Sequence, residues 1–278
     1  MRFEVRKVIR VRGSYLVYLP KHMFQEISPT AVEVYWQDFY VGITPVGERV
    51  AEVENGDVTA AVVAGYAAGL DKLYLKAPRE EVERALEKVF GEMAPAGGGH
   101  VVRYVDRYLD MAEVVDRMLD ALVYMLEGLT KETATLKTLQ AVDDEVDRLR
   151  LTANRLCTKR PYPSCVFYIQ LARFFERAVD HVLDLYREKP GREVWVLLSN
   201  AAARLKKAAE AGDPSAHFDF LLSIPSLRFE VLQKTEGQLQ ALHAVRVLDY
   251  LANSAEVYLD LAIHKSARFV RMEDAKNL

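Results

Sequence analysis

Apolar and polar residues alternate with a period of two at the start of the chain, a pattern typical of half-buried β-strands. Over residues 3–12, one face is mostly apolar and the other is mostly basic. The pair Gly13 and Ser14 then predicts a turn, and residues 15–19 predict a second strand. A further hairpin is predicted over residues 32–43.

These short strands form a predicted β domain over residues 1–45, called the head below. A unit of this size buries too little apolar surface to offset the ordering of its own backbone. We therefore expect the head to complete its core by pairing with a second copy of itself.

Residues 46–100 mix short helices and strands and form a predicted α/β connector. Residues 58–68 are small, apolar and helical, residues 72–76 predict a strand, and Pro78 opens an amphipathic helix. The run Ala-Gly-Gly-Gly over residues 96–99 is the clearest linker signal in the chain, and a domain boundary is predicted there.

From residue 101 onward, apolar residues recur with the spacing of amphipathic helices. The predicted helices span residues 101–129, 132–157, 164–188, 193–211, 215–236 (broken near Pro225) and 237–270. Short turns between them predict two successive three-helix bundles, over residues 101–190 and 191–278. The predicted fold class is therefore α+β, with an all-α body over residues 101–278.

Composition limits the classes of function. The 278 residues are 50% hydrophobic and 28% charged, and the net charge is only −3, so DNA binding would require a local basic patch. No apolar run approaches the roughly 18 residues that span a bilayer, and the first residues do not resemble a signal peptide. These features predict a cytoplasmic protein without membrane insertion.

The positions of cysteine and histidine in the sequence do not match a known metal-binding or catalytic motif. Cys157 and Cys165 flank a predicted turn between two helices, where two thiols are favoured and a disulfide is the alternative. The six histidines are scattered, and His181 is expected to be solvated. Gly-rich phosphate loops, zinc-binding His or Cys pairs and the nucleophile motif Gly-x-Ser-x-Gly are missing from the sequence. The sequence therefore predicts that the protein is not an enzyme.

Acidic pairs one helical turn apart are the strongest candidates for a binding site. They lie within or beside apolar stripes, where two carboxylates repel each other and lose hydration unless a cation joins them. The pairs are Asp143 with Asp147 and Glu176 with Asp180, which Asp116 and Asp120 could join. An all-oxygen cluster would suit a divalent or iron-type metal ion, such as iron, manganese, magnesium or calcium.

The same acids have an alternative without metal, because they could pair with arginines on these helices. The arginines are Arg148, Arg150, Arg173 and Arg177. The second three-helix bundle does not repeat the acidic pattern, because Asn253 replaces an acid and Lys234 follows Glu230. One metal site is therefore expected rather than two.

Three stretches together resemble one family, the prokaryotic phosphate-uptake regulators that join an AbrB/SpoVT-like head to a PhoU-like body. The head carries Arg6-Lys7-Val8, Gly13-Ser14 and Leu19-Pro20-Lys21, which are similar to the swapped-hairpin AbrB pattern. Residues 63–71 (VAGYAAGLD) resemble the helix and strand that connect head and body in that family. Residues 143–149 (DDEVDRL) and 175–181 (FERAVDH) resemble the acidic metal-binding motifs of PhoU proteins. The resemblance covers nearly the whole chain.

The resemblance implies a homodimer that interleaves two heads and places their basic residues side by side. These residues could neutralise DNA phosphates, and the alternative is a basic but inert strand face. The candidate DNA-binding residues are Arg6, Lys7, Arg10, Arg12 and Lys21.

The leading hypothesis is a DNA-binding transcriptional regulator of phosphate uptake with a metal-binding sensor body. The runner-up is a signalling adaptor whose body docks on a phosphate transporter or sensor kinase and whose head only dimerises. A metal-storage or catalytic role for the acids ranks third.

Overall fold

The computed structural model describes residues 9–16, 18, 32–37, 40–54 and 56–266. The fold is α+β, as predicted, with strands and small sheets first and an all-helical body after them. Within the described residues, no helix is both long enough and apolar enough to cross a bilayer.

The head contains two antiparallel hairpins. Strand β1 (Ile9–Val11) pairs with β2 (Ser14–Leu16), and β3 (Val32–Gln37) pairs with β4 (Tyr40–Pro45). The first turn has positive φ at both central residues, 45° at Arg12 and 89° at Gly13, which matches the right-handed twist of the strands. Both predicted hairpins are therefore confirmed over residues 9–16, 32–37 and 40–45, and the rest of their predicted strands lies outside the described residues.

The connector is a four-stranded sheet with two helices. Its elements are β5 (Val50–Val53), α1 (Val58–Ala67), β6 (Lys72–Leu75), α2 (Arg79–Leu86), β7 (Gly91–Ala96) and β8 (Gly99–Tyr104). The strand order is β5-β6-β8-β7, with β5 parallel to β6 across the α1 crossover and the other pairs antiparallel. Both predicted helices and the predicted strand β6 are confirmed.

Two predictions at the end of the connector are wrong. The glycines at residues 97 and 98 have φ of 53° and 85° and form the tight turn of the β7–β8 hairpin instead of a linker. The helix predicted from residue 101 begins at Met111, because residues 99–104 pair with β6 and β7 in the sheet.

The described part of the body contains six helices. They are α3 (Met111–Thr130), α4 (Leu136–Lys159), α5 (Cys165–Arg187), α6 (Arg192–Ala211), α7 (Pro214–Lys234) and α8 (Gln238–Ser266). Helices α3–α5, called the first unit, contact one another, and so do α6–α8, called the second unit. One hydrophobic core runs through both, and the most extensive contact of the body joins α5 to α8. Helix α7 runs unbroken through Pro225, where the sequence predicts a break.

Side-chain caps explain where several of these helices begin. Asp110 and Asp213 accept hydrogen bonds from backbone N–H groups of the first turns of α3 and α7, and Thr135 forms a capping box with Thr138 before α4. Each cap pairs a donor that the helix itself leaves without a partner. Gly212, with φ of 63°, ends α6 in the left-handed conformation.

The expectation of two free thiols is wrong. Cys157, near the end of α4, forms a disulfide with Cys165 at the start of α5, and their Cα atoms are 5.7 Å apart. The turn between the two helices brings these cysteines within bonding reach, so the bond ties α4 to α5 at one end of the first unit.

Candidate DNA-binding and metal-binding residues

The basic residues predicted to contact DNA lie partly within the described head. Arg10 is on β1 opposite Tyr15, and Arg12 is in the turn that follows; both are exposed. The remaining candidates, Arg6, Lys7 and Lys21, lie outside the described residues.

One face of the β3–β4 hairpin is apolar and faces solvent. The side chain of Trp36 is 76% exposed and that of its cross-strand partner Val41 is 63% exposed. The neighbouring pair on the same face, Val34 and Ile43, is also exposed. These four residues are called the apolar head face. Such a patch in a folded chain is typical of an interaction surface.

The opposite face of β3 contacts the body. Glu33 forms an ion pair of 2.5 Å with Arg160, and the Tyr35 hydroxyl donates a hydrogen bond of 3.2 Å to the carbonyl oxygen of Pro161. Both partners lie in the turn between α4 and α5. The head is thus placed against the end of α4.

A buried arginine joins the connector to the same helix. Arg155 of α4 is 1% exposed, and its guanidinium donates to Asp106 Oδ1 at 2.6 Å and to the carbonyl oxygen of Leu70 at 2.5 Å. Lys159, one turn later, contacts Asp71 at 3.0 Å and Asp106 at 2.6 Å. These contacts hold the pKa of both aspartates below its usual range despite their burial. The connector and α4 are therefore held together by paired charges.

The four acids predicted to bind metal lie on two adjacent helices and are close enough for their charges to act on one another, but among the described residues no three of them have ligand atoms all within 4.8 Å. Asp143 and Asp147 lie on α4, and Glu176 and Asp180 lie on α5; these four residues are called the acidic cluster. Burial raises the pKa of Asp143 to about 6, and the negative charges of the other three act in the same direction. Burial also raises the pKa of Glu176 and of Asp180. The acids therefore repel one another, as predicted.

Arginines balance part of this charge. The Glu176 carboxylate lies 3.6 Å from Arg150 Nε and 3.4 Å from Arg177 Nε. Asp180 Oδ2 accepts a hydrogen bond of 3.2 Å from Arg177 Nη1. Two of the four arginines that the sequence offers as an alternative to metal are thus in place.

Asp116 and Asp120 lie elsewhere, on an exposed part of α3. Asp120 forms an ion pair of 2.6 Å with Lys206 of α6. Burial raises the pKa of Asp116, and the charges that influence it are those of Asp120 and other groups outside the acidic cluster. Leu109, which the sequence predicts to lie on the same helix as these aspartates, precedes α3 and is exposed. These two aspartates do not join the four acids.

A different group has ligand atoms close enough to one another to hold a metal ion. Among the described residues, the one set of three His, Cys, Asp or Glu side chains with ligand atoms all within 4.8 Å is His181, Asp184 and His243. This set is called the histidine cluster. His181 Nδ1 lies 2.9 Å from His243 Nδ1, which lies 4.0 Å from Asp184 Oδ2. The two residues of α5 thus meet one residue of α8.

Neighbouring side chains hold the histidine cluster in position. Tyr250 stacks on the His181 ring with 5.7 Å between ring centroids, and Arg187 donates to Asp184 Oδ1 at 2.7 Å. Burial lowers the pKa of His181, and the proximity of His243 lowers it further. The expectation of a solvated His181 is therefore wrong.

Sequence reasoning missed this cluster because its members are far apart in the chain. His181 and His243 are separated by 62 residues, and a helical wheel shows which way a side chain points but not which helix lies there. The spacing of His181 and Asp184, three apart on one helical face, was the available signal.

Three comparisons, with models of protein families, with curated proteins and with solved structures, found no match to this chain.

Proposed function

We propose that the protein is a cytoplasmic, homodimeric, DNA-binding regulator of phosphate-uptake genes whose helical body is a metal-binding sensor. The proposal follows the resemblance to AbrB-like heads and PhoU-like bodies. The exposed Arg10 and Arg12 beside the β1–β2 turn support its DNA-binding part. The metal is expected from the sequence at the acidic cluster and could instead be bound at the histidine cluster.

The apolar head face is the observation that carries the proposal. Trp36, Val41, Val34 and Ile43 would lie exposed in a lone chain, although contact with water is unfavourable for each of these side chains. A second head covering this face would complete a core that 45 residues cannot build alone. A dimer of this kind would also double the number of arginines available to DNA phosphates.

The joint between connector and body supports a coupled regulator. Arg155 and Lys159 of α4 bind two carboxylates at one end of the connector sheet, those of Asp71 and Asp106, while Arg160 in the following turn contacts the head. A change in the position of α4 would therefore reach the head through paired charges.

DNA binding can be tested by fluorescence anisotropy with the full-length protein and a duplex from upstream of its own gene. We expect Arg10→Ala with Arg12→Ala to weaken binding and to reduce the slope of log K against log salt by about 1 for each phosphate that an arginine no longer neutralises. The matched control is Arg79→Ala with Arg84→Ala on the exposed face of α2. An unchanged affinity and salt slope in the head variant would exclude this strand from DNA binding.

Dimerisation can be tested by sedimentation of the full-length protein. Trp36→Asp places a charge in the apolar head face and should yield monomers, whereas Leu222→Asp on α7 should leave the dimer intact. A Trp36→Asp variant that remains dimeric at all concentrations would contradict the proposed use of this face.

One observation favours the adaptor as a second candidate. Helix α7 carries an exposed apolar stripe, formed by Phe218, Leu222, Phe229 and Leu232. Residues at these intervals lie on one side of a helix and suit contact with an apolar partner surface, such as that of a transporter or kinase. A wild-type dimer that shows no affinity for DNA would favour this candidate over the regulator.

A further inference from the structure

We propose that His181, Asp184 and His243 bind a divalent transition-metal ion of the class that prefers imidazole ligands, such as Zn²⁺, Co²⁺, Ni²⁺ or Fe²⁺. This inference rests on the metal-binding part of the proposed function and moves the site away from the acidic cluster.

The distances are close to those that one ion requires. Metal–nitrogen bonds of about 2.0–2.1 Å place two imidazole nitrogens of a tetrahedral site about 3.3 Å apart. The two Nδ1 atoms are 2.9 Å apart, so the rings need to separate by only a few tenths of an ångström. Asp184 Oδ2, at 4.0 Å from His243 Nδ1, can approach through rotation of its carboxylate. The backbone of α5 and α8 can therefore stay in place.

A shared hydrogen bond between the histidines is the alternative explanation. It accounts for the 2.9 Å distance, but Asp184 would then face His243 only as the partner of a protonated imidazole, at 4.0 Å. A cation explains all three groups, because both imidazoles present the same nitrogen and Asp184 supplies a negative charge. Arg187 binds the other oxygen of Asp184, as outer partners of metal-binding carboxylates commonly do.

The ligand set selects the class of ion. Two nitrogens and one oxygen suit borderline transition ions, whereas Mg²⁺ and Ca²⁺ prefer sites made of oxygen alone. Three protein ligands leave room for water or another small ligand at the ion. All three side chains are partly exposed, so an ion can enter from solvent.

The position of the site gives binding a structural effect. His181 and Asp184 belong to α5 of the first three-helix unit, and His243 belongs to α8 of the second. One ion would therefore link the two units through their shared α5–α8 contact. Binding would favour the packed arrangement of the units over any in which α5 and α8 separate.

The test uses the full-length protein after chelator treatment, with Zn²⁺ measured by calorimetry and Co²⁺ by its visible absorption. We expect one ion per chain, and a rise in Tm of about 5 °C at about a hundredfold excess of Zn²⁺ over its Kd. His243→Gln and Asp184→Asn should each weaken binding at least about tenfold, since each removes one ligand. Two variants on different helices guard against the misfolding of either.

Two matched controls locate the ion. His100→Gln, in the connector sheet, and Glu176→Gln with Asp180→Asn, in the acidic cluster, should leave the affinity unchanged. Absence of Zn²⁺ binding to the wild type, or loss of binding only in the acidic variant, would overturn the proposal. The affinity of the full-length protein for DNA is measured separately in the presence of chelator. A protein that binds DNA but not Zn²⁺ would refute the metal site alone, and one that binds Zn²⁺ but not DNA would refute the DNA-binding proposal alone.

Discussion

The acidic cluster and the histidine cluster lie on the same helix, α5, and differ in what balances their charge. Glu176 and Asp180 face α4, where Arg150 contacts Glu176, and Arg177 of α5 itself contacts both acids. His181 and Asp184 face α8 and meet His243 and Tyr250. The protein thus supplies cations to one cluster and directs ligand atoms at a common point in the other.

This difference shows why acidic residues alone do not identify a metal site. Four carboxylates close together need positive charge, and arginines provide it as readily as an ion does. Two imidazoles that present the same nitrogen have fewer alternative explanations. The convergence of ligand atoms is therefore a better guide than the number of acids.

Loss of the disulfide should have the largest effect and should separate the two clusters. Cys157→Ala with Cys165→Ala opens a loop with a sequence separation of 8, which is expected to lower the free energy of unfolding by about 2.5 kcal/mol. The bond ties α4 to α5, so the acidic cluster should loosen while Zn²⁺ affinity at the α5–α8 contact stays the same. Urea unfolding and calorimetry measure the two effects.

The control for this prediction is reductant, which should destabilise the wild type but not the double variant. A double variant as stable as the wild type, or one with weakened Zn²⁺ binding, would contradict it.

Removal of the arginine that faces the acidic cluster should have the next largest effect. The side chain of Glu176 is only 13% exposed, and it contacts two arginines, Arg150 and Arg177. In Arg150→Met, Arg177 is the one remaining arginine in contact with Glu176, which still lies near the three other carboxylates of the acidic cluster. We expect a decrease in stability of about 2 kcal/mol, below the range for a fully buried pair because both side chains keep some contact with water. Thermal unfolding at neutral pH measures the decrease.

Arg150→Met combined with Glu176→Gln completes a double-mutant cycle. The second substitution should recover most of the stability that the first removes. If Arg150→Met alone changed nothing, arginine would not be the group that balances the acidic cluster.

Neutralisation of Asp143 should change the free energy of unfolding least, and should raise it where the two preceding substitutions lower it. The pKa of Asp143 is about 6 in the folded chain, against an ordinary value of 3.8, so the folded state binds the proton more tightly than the unfolded state. Stability then falls as pH rises between these two values. Asp143→Asn removes this penalty and should stabilise the protein by about 1 kcal/mol at pH 8, discounted from the full shift because the side chain is partly exposed.

The stabilisation by Asp143→Asn should vanish toward acid pH, below the pKa of this carboxyl in the unfolded chain, where the wild-type group is protonated in both the folded and the unfolded state. Asp144→Asn is the matched control, because Asp144 pairs with Lys88 at 2.9 Å and its replacement should be neutral or slightly destabilising. Denaturant unfolding across a pH series measures both variants. A gain for Asp143→Asn that did not depend on pH would rule out relief of repulsion.

The sequence predicts the body well and the end of the connector poorly. Helical periodicity is strong over α4, α5 and α6, and their caps lie close to the predicted ends. Residues 101–104 are wrongly predicted as helix because a short apolar run has no period of its own and is followed by a helical pattern. The two glycines of the β7–β8 turn are wrongly predicted as a linker because the same residue favours both structures.

The sequence of a single helix predicts the direction in which a candidate side chain points, but not which residue it contacts. A helical wheel separates the directions of Asp180 and His181 on α5, and it selects acids whose charges act on one another across α4 and α5. It cannot show that α8 lies on the side to which His181 points. The partner of a side chain depends on tertiary packing, which a single helix does not encode.

The buried guanidinium of Arg155 fixes the connector to α4, so a tilt of this helix would carry the connector with it. The connector cannot slide along this helix without leaving a desolvated charge unpaired, so the two must move together. From Asp143 in the acidic cluster to Arg160 at the head, about 17 residues at roughly 1.5 Å each span about 26 Å. A tilt of about 5° around Asp143 would displace Arg160, and the head hairpin in contact with it, by about 2 Å. If the head binds DNA as proposed, a shift of that size would exceed the tolerance of a hydrogen bond between the head and the DNA.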